Sequence, residues 1–381
     1  MSEPAVSAPF LKDYRLIESR ETEEGVLSLW HSPGNMDAAW DEFLMATPMG
    51  QFQQSSMWAR VKEAEGWECL RVLATIEDRI AGGFQILWRK TPLGRIGYVS
   101  KGPVAVPETE GLAELIAAQM REHATHTNII GLIVQPPDES RITSDILGRA
   151  HFTESNPMEV IETTLLVDVS KGAEALDKGM SRKDSLRKVR VAKHHGVTVR
   201  EGTEEDIQLF FDLMRATCAR QRVTPNPPTV DALRQLWLTF SRGGCLRVTF
   251  AEYNHEALAG FLNILFGKKV TLWKKGWNFA YPDRYPNDVL YYETLHWACS
   301  HHYNHCDVVS FDRGIADALR NGKPLSNDQK KSRNIFHLRF GGVPKILPPA
   351  RLWIANPLLR FGYENVLARV ARFRHLSTAG L

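Results

Sequence analysis

The segment Ser181 to His195, SRKDSLRKVRVAKHH, sets six Lys/Arg (Arg182, Lys183, Arg187, Lys188, Arg190, Lys193) against one acid, Asp184. Leu186 and Val189, then Ala192 or Lys193, recur at three- to four-residue spacing, which predicts a helix with one thin apolar face and a cationic remainder. Such a helix offers point charges and bidentate forks to phosphates, with Arg187, Lys188 and Arg190 as candidates for an RNA- or anion-binding surface. A solvated surface helix has the same pattern. A second stretch, Trp273-Lys274-Lys275-Gly276-Trp277 followed by Tyr281 to Asp288, puts two lysines beside a Pro/Asp-rich turn that opens a helix. Free N–H groups and the helix dipole there would add to the side-chain charge, so Lys274 is a candidate for anion binding; a structural loop capping a helix is the alternative.

Other stretches are less specific. His296, Cys299, His301, His302, His305 and Cys306 are close in sequence, and Cys299, His302 and Cys306 fit one helix face. Their spacing matches no standard zinc finger, and small apolar cysteines also suit a buried helix, so no metal is expected. The run Phe336 to Gly342 follows Lys330-Lys331-Ser332-Arg333. Neither Arg320-Asn321-Gly322 nor Gly341-Gly342 fits a phosphate-binding loop, and GxSxG, HExxH and HRD motifs are absent. Covalent nucleophilic catalysis has no motif behind it.

These stretches sit on a repeated framework. Ala81-Gly82-Gly83-Phe84-Gln85-Ile86-Leu87 recurs as Ala259-Gly260-Phe261-Leu262-Asn263-Ile264-Leu265, each copy after a β-rich run with an acidic turn. Helices are expected over 37–45, 57–64, 110–123, 179–196, 203–220, 230–241 and 287–302. Strands are expected at 69–77, 80–88, 96–99, 129–134, 164–169, 197–200, 246–253, 257–266, 269–276 and 307–311. This order predicts an α+β (mixed α/β) fold with two similar domains, 1–170 and 171–381, residues 1–25 being loosely ordered. The second would carry the basic helix at its start and a helix at its C-terminal end.

Length supports that division, since 381 residues exceed the roughly 100–200 of one domain. The composition, 43% hydrophobic and 24% charged with net charge +3, is that of a globular protein and too weakly basic to imply nucleic acid by itself. Five cysteines without CxxC spacing give no disulfide framework. No secretory signal or membrane span is legible, so the expected location is cytoplasmic, including the inner membrane surface. Arg351 to Arg374 carries arginines among Trp353, Leu358, Leu359, Phe361, Val366 and Phe373. It is read either as a terminal helix packed on the second domain or as a basic helix in peripheral contact with a membrane.

Leu165 to Val199 resembles the junction segment of the Fem-type (peptidoglycan-bridge) aminoacyltransferases and their GNAT-like relatives. Phe52-Gln53-Gln54-Ser55 with Trp58 and Lys62, Gly97 to Val104, and Phe336 to Gly341 resemble further motifs of that family, in order, between about residues 37 and 345. The resemblance implies two tandem GNAT-like domains, each a mixed sheet flanked by helices, and transfer of an acyl or aminoacyl group to an amine. It implies no tightly bound cofactor, an aminoacyl-tRNA donor, and an amine-bearing small molecule or cell-wall precursor as acceptor. It assigns phosphate binding to Lys62 and Arg220, in a cleft between the domains. Three departures stand out. His337 occupies the place of a family lysine, with Arg339 able to supply the charge. Leu272 to Trp277 replaces a tyrosine-rich stretch, and an expected acid is displaced into Gln135-Pro136-Pro137-Asp138.

Direct attack of a neutral amine on an ester or thioester carbonyl requires orientation, a proton acceptor and a stabilised oxyanion. Asp312 and His337 are the candidates for proton handling, with phosphate contact and structural pairing as their alternatives. The rivals are an acyl-CoA-dependent GNAT N-acyltransferase linked to polysaccharide or envelope assembly, and a non-catalytic basic binding module.

Overall fold

The computed structural model describes residues 9–22, 25–34, 36–92 and 94–365. They form two compact units, one of the chain up to Val160 with the segment from Pro348, the other of Ile161–Leu347.

In the first unit, β1 (Arg15–Thr22), β2 (Gly25–His31), β3 (Glu68–Ile76), β4 (Arg79–Thr91) and β5 (Gly94–Ser100) form an antiparallel meander; β6 (Val104–Ala105) pairs with β4. Helices α1 (Ala38–Ala46) and α2 (Ser56–Glu63) interrupt it, and α3 (Glu110–His126) crosses over to β7 (Ile129–Gln135), which lies parallel to β5. Then follow α4 (Ile142–Arg149) and β8 (Thr153–Glu154). Leu112, Ile116 and Met120 of α3 pack on Phe84, Ile86, Val99 and Leu132 of the sheet. Each such buried side chain contributes roughly 1.5–3 kcal/mol. Of residues 1–25, expected to be loosely ordered, 1–8 lie outside the described residues, and strand β1 corrects the expectation for residues 15–22. Its exposed, polar sequence shows no apolar alternation, and its ladder with β2 holds it.

The second unit begins with β9 (Thr163–Asp168), α5 (Ala173–Gly179), α6 (Arg187–His194), β10 (Thr198–Glu201), α7 (Ile207–Gln221) and α8 (Val230–Ser241). Strands β11 (Leu246–Tyr253), β12 (Glu256–Phe266) and β13 (Lys269–Trp277) repeat the meander, and α9 (Pro286–Ser300) crosses to β14 (His305–Asp307), parallel to β13. The unit closes with α10 (Arg313–Arg320), α11 (Asn327–Lys331), α12 (Arg333–Leu338) and β15 (Val343–Ile346), and β9 pairs with both β14 and β15. Its core joins Val289, Leu290 and Leu295 of α9 to Phe261, Leu265 and Leu272 of the sheet. The expected single helix over 179–196 is divided. Met180 is extended, Ser181 caps a π-type turn over Arg182–Leu186, and α6 follows.

Beyond residue 347 the chain rejoins the first unit rather than continuing the second, as the sequence reading had it. β16 (Arg351–Ile354) pairs with β7 and β8, and α13 (Pro357–Asn365) follows. A strand of four residues that adds to a sheet formed long before it in sequence leaves no local signal. Residues 366–381, which held the rest of the expected basic helix, lie outside the described residues. The two sequence copies occupy equivalent strands, β4 and β12, each flanked by the two other meander strands of its unit.

Candidate active site in the second unit

The two parallel strand pairs differ. In the first unit β5 and β7 stay zipped to the pair Ser100–Gln135, and the Gly102 N–H donates to the Gln135 carbonyl (2.9 Å). In the second, β13 and β14 pair only from Lys269–His305 to Thr271–Asp307, although β13 runs on to Trp277. Val309 and Ser310 have φ of 57° and 59°, which turn the chain away from β13 towards β9. That conformation costs a β-branched residue on the order of 1–3 kcal/mol and persists where the surroundings enforce it, often at functional sites. The resulting gap opens into a cavity of about 780 Å³ lined by β13, Val308–Ser310, α7, the start of α9, and α12. Helix α7 is held tightly against β13. A Cβ on Gly276 would lie 2.6 Å from the Met214 nitrogen, and the Trp277 N–H donates to Thr217 Oγ1 (2.9 Å).

Lys275 reaches across this gap. Its Nζ donates to the Val308 carbonyl (3.2 Å), which has left the β13 ladder, and lies 5.1 Å from the centre of the Tyr291 ring. Burial, with Arg333 nearby, lowers its pKa to about 7, so its amine is substantially neutral near neutral pH. His337 Nδ1 lies 2.8 Å from the Tyr291 hydroxyl. Burial and the cations Lys275, Arg333 and Arg339 push the imidazole far below its ordinary range, so His337 stays uncharged. Asp288, in the first turn of α9, pairs with Arg339, yet burial outweighs the attraction of Arg339 and Lys188 and raises its carboxyl to about 6. Lys188, Lys274, Arg333 and Arg339 face Asp288 as the carboxylate of the lining, a positive excess suited to an anionic ligand even without Lys275.

Of the residues expected from sequence, Lys188, Lys274, His337 and Arg339 meet in this cavity. The others lie elsewhere. Asp312 caps α10, accepting from the Ile315 N–H (2.7 Å). Arg220 stacks on Phe279 at 4.2 Å, outside the lining. Arg187 and Arg190 are exposed on α6, their Nε atoms turned back to the Lys183 and Leu186 carbonyls. Lys62 belongs to the first unit, buried beside Trp58 and paired with Glu65 at 2.7 Å. In the His/Cys group, His296 contacts Asp177 (2.8 Å) and Cys306 is buried in the core, which raises its thiol. Among the described residues no three His, Cys, Asp or Glu side chains converge on a metal-sized site.

Sequence reasoning missed Tyr291, quoted Asp288 and Arg333 only within longer runs and gave them no role, and took Lys275 only as a companion of Lys274. Strand alternation separates the two lysines, and a tyrosine inside an apolar helix gives no signal of its own. The Phe52–Ser55 motif has a structural task. Gln54 Nε2 donates to the Ser100 (2.7 Å) and Gln85 (3.3 Å) carbonyls and its Oε1 accepts from the Gln85 N–H (2.8 Å), while Ser55 caps α2. The displaced acid, Asp138, forms a nearly buried pair with Lys101 (2.8 Å) and exchanges two hydrogen bonds with Gln51.

Residues 36–163 match the model of the FemAB family, and residues 180–316 match that of the acetyltransferase (GNAT) domain. Relatives include the lipid II:glycine glycyltransferase of Staphylococcus saprophyticus subsp. saprophyticus, 28% identical over 196 residues (48% of this chain, 47% of the relative). The same-named protein of Staphylococcus epidermidis is 27% identical over 192 residues (47% and 46%). The chain thus spans about half the length of the curated relatives it matches. Among solved structures, FemX has a TM-score of 0.73 at 16% identity, covering 86% of this chain and 97% of its own. A tandem GNAT protein from the clavulanic acid biosynthesis pathway has a TM-score of 0.52 at 11% identity (87% and 99%). The fold is the expected one, a tandem pair of GNAT-like units with mixed sheets. Similarity to the FemAB family thus covers most of the first unit and similarity to the acetyltransferase (GNAT) domain most of the second.

Proposed function

We propose that this protein is a Fem-like aminoacyltransferase, moving an aminoacyl group from aminoacyl-tRNA to an amine of a cell-wall precursor or small molecule. One observation carries the reading: the parallel strands of the second unit part over a cavity where Lys275, His337 and several cations meet. The donor carbonyl would lie in the gap, with the phosphates of its carrier against Lys188, Lys274 and Arg333. The acceptor amine attacks the carbonyl carbon, and the carbonyl π pair moves to oxygen. An amine proton passes to the lone pair of Lys275, and collapse expels the ribose oxygen, which takes a proton back. Lys275 suits that role because its pKa of about 7 lies near the operating pH. The names of the staphylococcal relatives support a glycyl-type group and a lipid-linked acceptor. Lys62 and Arg220 are proposed to bind phosphate of donor or acceptor.

A second reading has its own support. The ladder between β13 and β14 stops at Thr271–Asp307 while β13 runs on to Trp277, and an extended amide chain entering where the strands part could lie along β13, as the arm of an acyl-CoA would. A transfer assay separates the two. Purified protein with a pool of amines is offered charged tRNA, then acyl-CoA, each with labelled acyl group. Label leaving tRNA only with protein and amine present supports the first reading, and label leaving CoA moves the protein to the N-acyltransferases.

A further inference from the structure

Tyr291 takes no part in the transfer steps above, yet it is the most enclosed polar group of the site. Phe261 meets it edge-on at 4.9 Å, Phe340 stacks on it at 5.0 Å, and Phe336 packs at 5.1 Å. A phenol proton in such surroundings needs an acceptor, since a buried unpaired donor costs roughly 1–3 kcal/mol. Among the described residues, His337 Nδ1 is the one hydrogen-bond partner of that hydroxyl. Were the ring proton on Nδ1, it would donate to the phenol oxygen and leave the phenol proton buried without an acceptor. With the phenol donating, both atoms are satisfied and the single ring proton of the neutral imidazole falls on Nε2. His337 lines the cavity, and its Nε2 has no acceptor among the described residues.

We propose that Tyr291 locks His337 in the uncharged Nε2–H tautomer, and that this N–H donates to the carbonyl oxygen of the acyl group in the strand gap. The proposal rests on the acyl-transfer reading and assigns its oxyanion donor. As the C–N bond forms and the carbonyl pair moves to oxygen, the Nε2–H holds the oxyanion and keeps its proton. The amine proton goes to Lys275, and collapse restores the carbonyl while the leaving oxygen departs with its bonding pair. A neutral donor suits a site already crowded with cations, where an imidazolium would be repelled. Tyr291 is a positioning residue, since it acts through His337.

Imidazole 15N shifts of the full-length, histidine-labelled protein read the tautomer without any substrate. The expected spectrum shows His337 neutral and protonated on Nε2 at neutral pH, with the Nδ1–H form appearing in Tyr291→Phe, which keeps the ring. Under turnover, His337→Leu should lower kcat by about 10²–10³ with little change in KM for the donor, as for loss of one oxyanion donor. His337→Gln, whose amide N–H reaches towards the same point, should recover part of it. An Nδ1–H or imidazolium ring at neutral pH overturns the proposal whatever the reaction, and an unchanged kcat in His337→Leu overturns the donor role. Failure of the wild-type protein to transfer from either donor would instead overturn the acyl-transfer reading and with it the donor role, leaving the tautomer to the spectrum.

Discussion

At the scale of single residues, two bases give different kinds of pH dependence, one in rate and one in stability. Lys275 must be neutral to accept a proton, so the transfer rate should rise with pH through an apparent pKa of about 7. Lys275→Met should lower kcat by about 10²-fold or more and abolish that limb, as a pH–rate profile would show. His123 bears on stability instead. It is buried against His31 and Phe84, and burial, then His31, His126 and Arg15, lowers its pKa to about 4. Between about 4 and the ordinary 6.5 the unfolded chain binds more protons, so stability is lost as pH falls through that window. His123→Phe should flatten this acid sensitivity in denaturant melts across pH. His123 was not legible from sequence, and Lys275 was legible only as a companion of Lys274 for an anion, not as a base. His123 sits inside an ordinary amphipathic helix, and Lys275 differs from Lys274 only in which face of the strand it occupies. The lining residues that were legible, Lys188, Lys274, His337 and Arg339, belong to runs whose charge or family motif marks them before folding.

At the scale of elements, the meanders and crossover helices were readable because their apolar periodicity is strong, and α8 (Val230–Ser241) matches its expected span. The parting of β13 from β14 was not readable, since it depends on backbone angles at Val309 and Ser310 and on three paired positions. The short elements after residue 310, and β16, likewise owe their form to distant partners. Gln54 illustrates how a motif acts through an element. Its amide joins β4 to the end of β5, so Gln54→Ala should destabilise the first unit by about 3 kcal/mol in chemical denaturation, because several buried backbone groups lose partners. Gly276→Ala should push α7 off β13 and reduce transfer along with stability, the Cβ having no room beside Met214.

At the scale of the whole molecule, the duplication seen in the sequence accounts for two units of one plan, of which the second carries the open strand pair. A tRNA donor adds a requirement for exposed cations, which α6 meets with Arg187 and Arg190. Neutralising both should weaken tRNA binding and lower the slope of log affinity against log salt by about 1–2. On α13, Leu358 and Phe361 are 82% and 67% exposed, and the proposed peripheral membrane contact would place them against lipid. Leu358→Asp with Phe361→Asp should then reduce sedimentation with anionic vesicles. The central claim, acyl transfer in the strand gap of the second unit, is tested most directly by single-turnover transfer from labelled aminoacyl-tRNA to a pool of amines, with wild-type protein and Lys275→Met. The account predicts label on an amine with the wild-type protein and a rate at least about 10²-fold lower in the variant. Equal rates in the two proteins would contradict it.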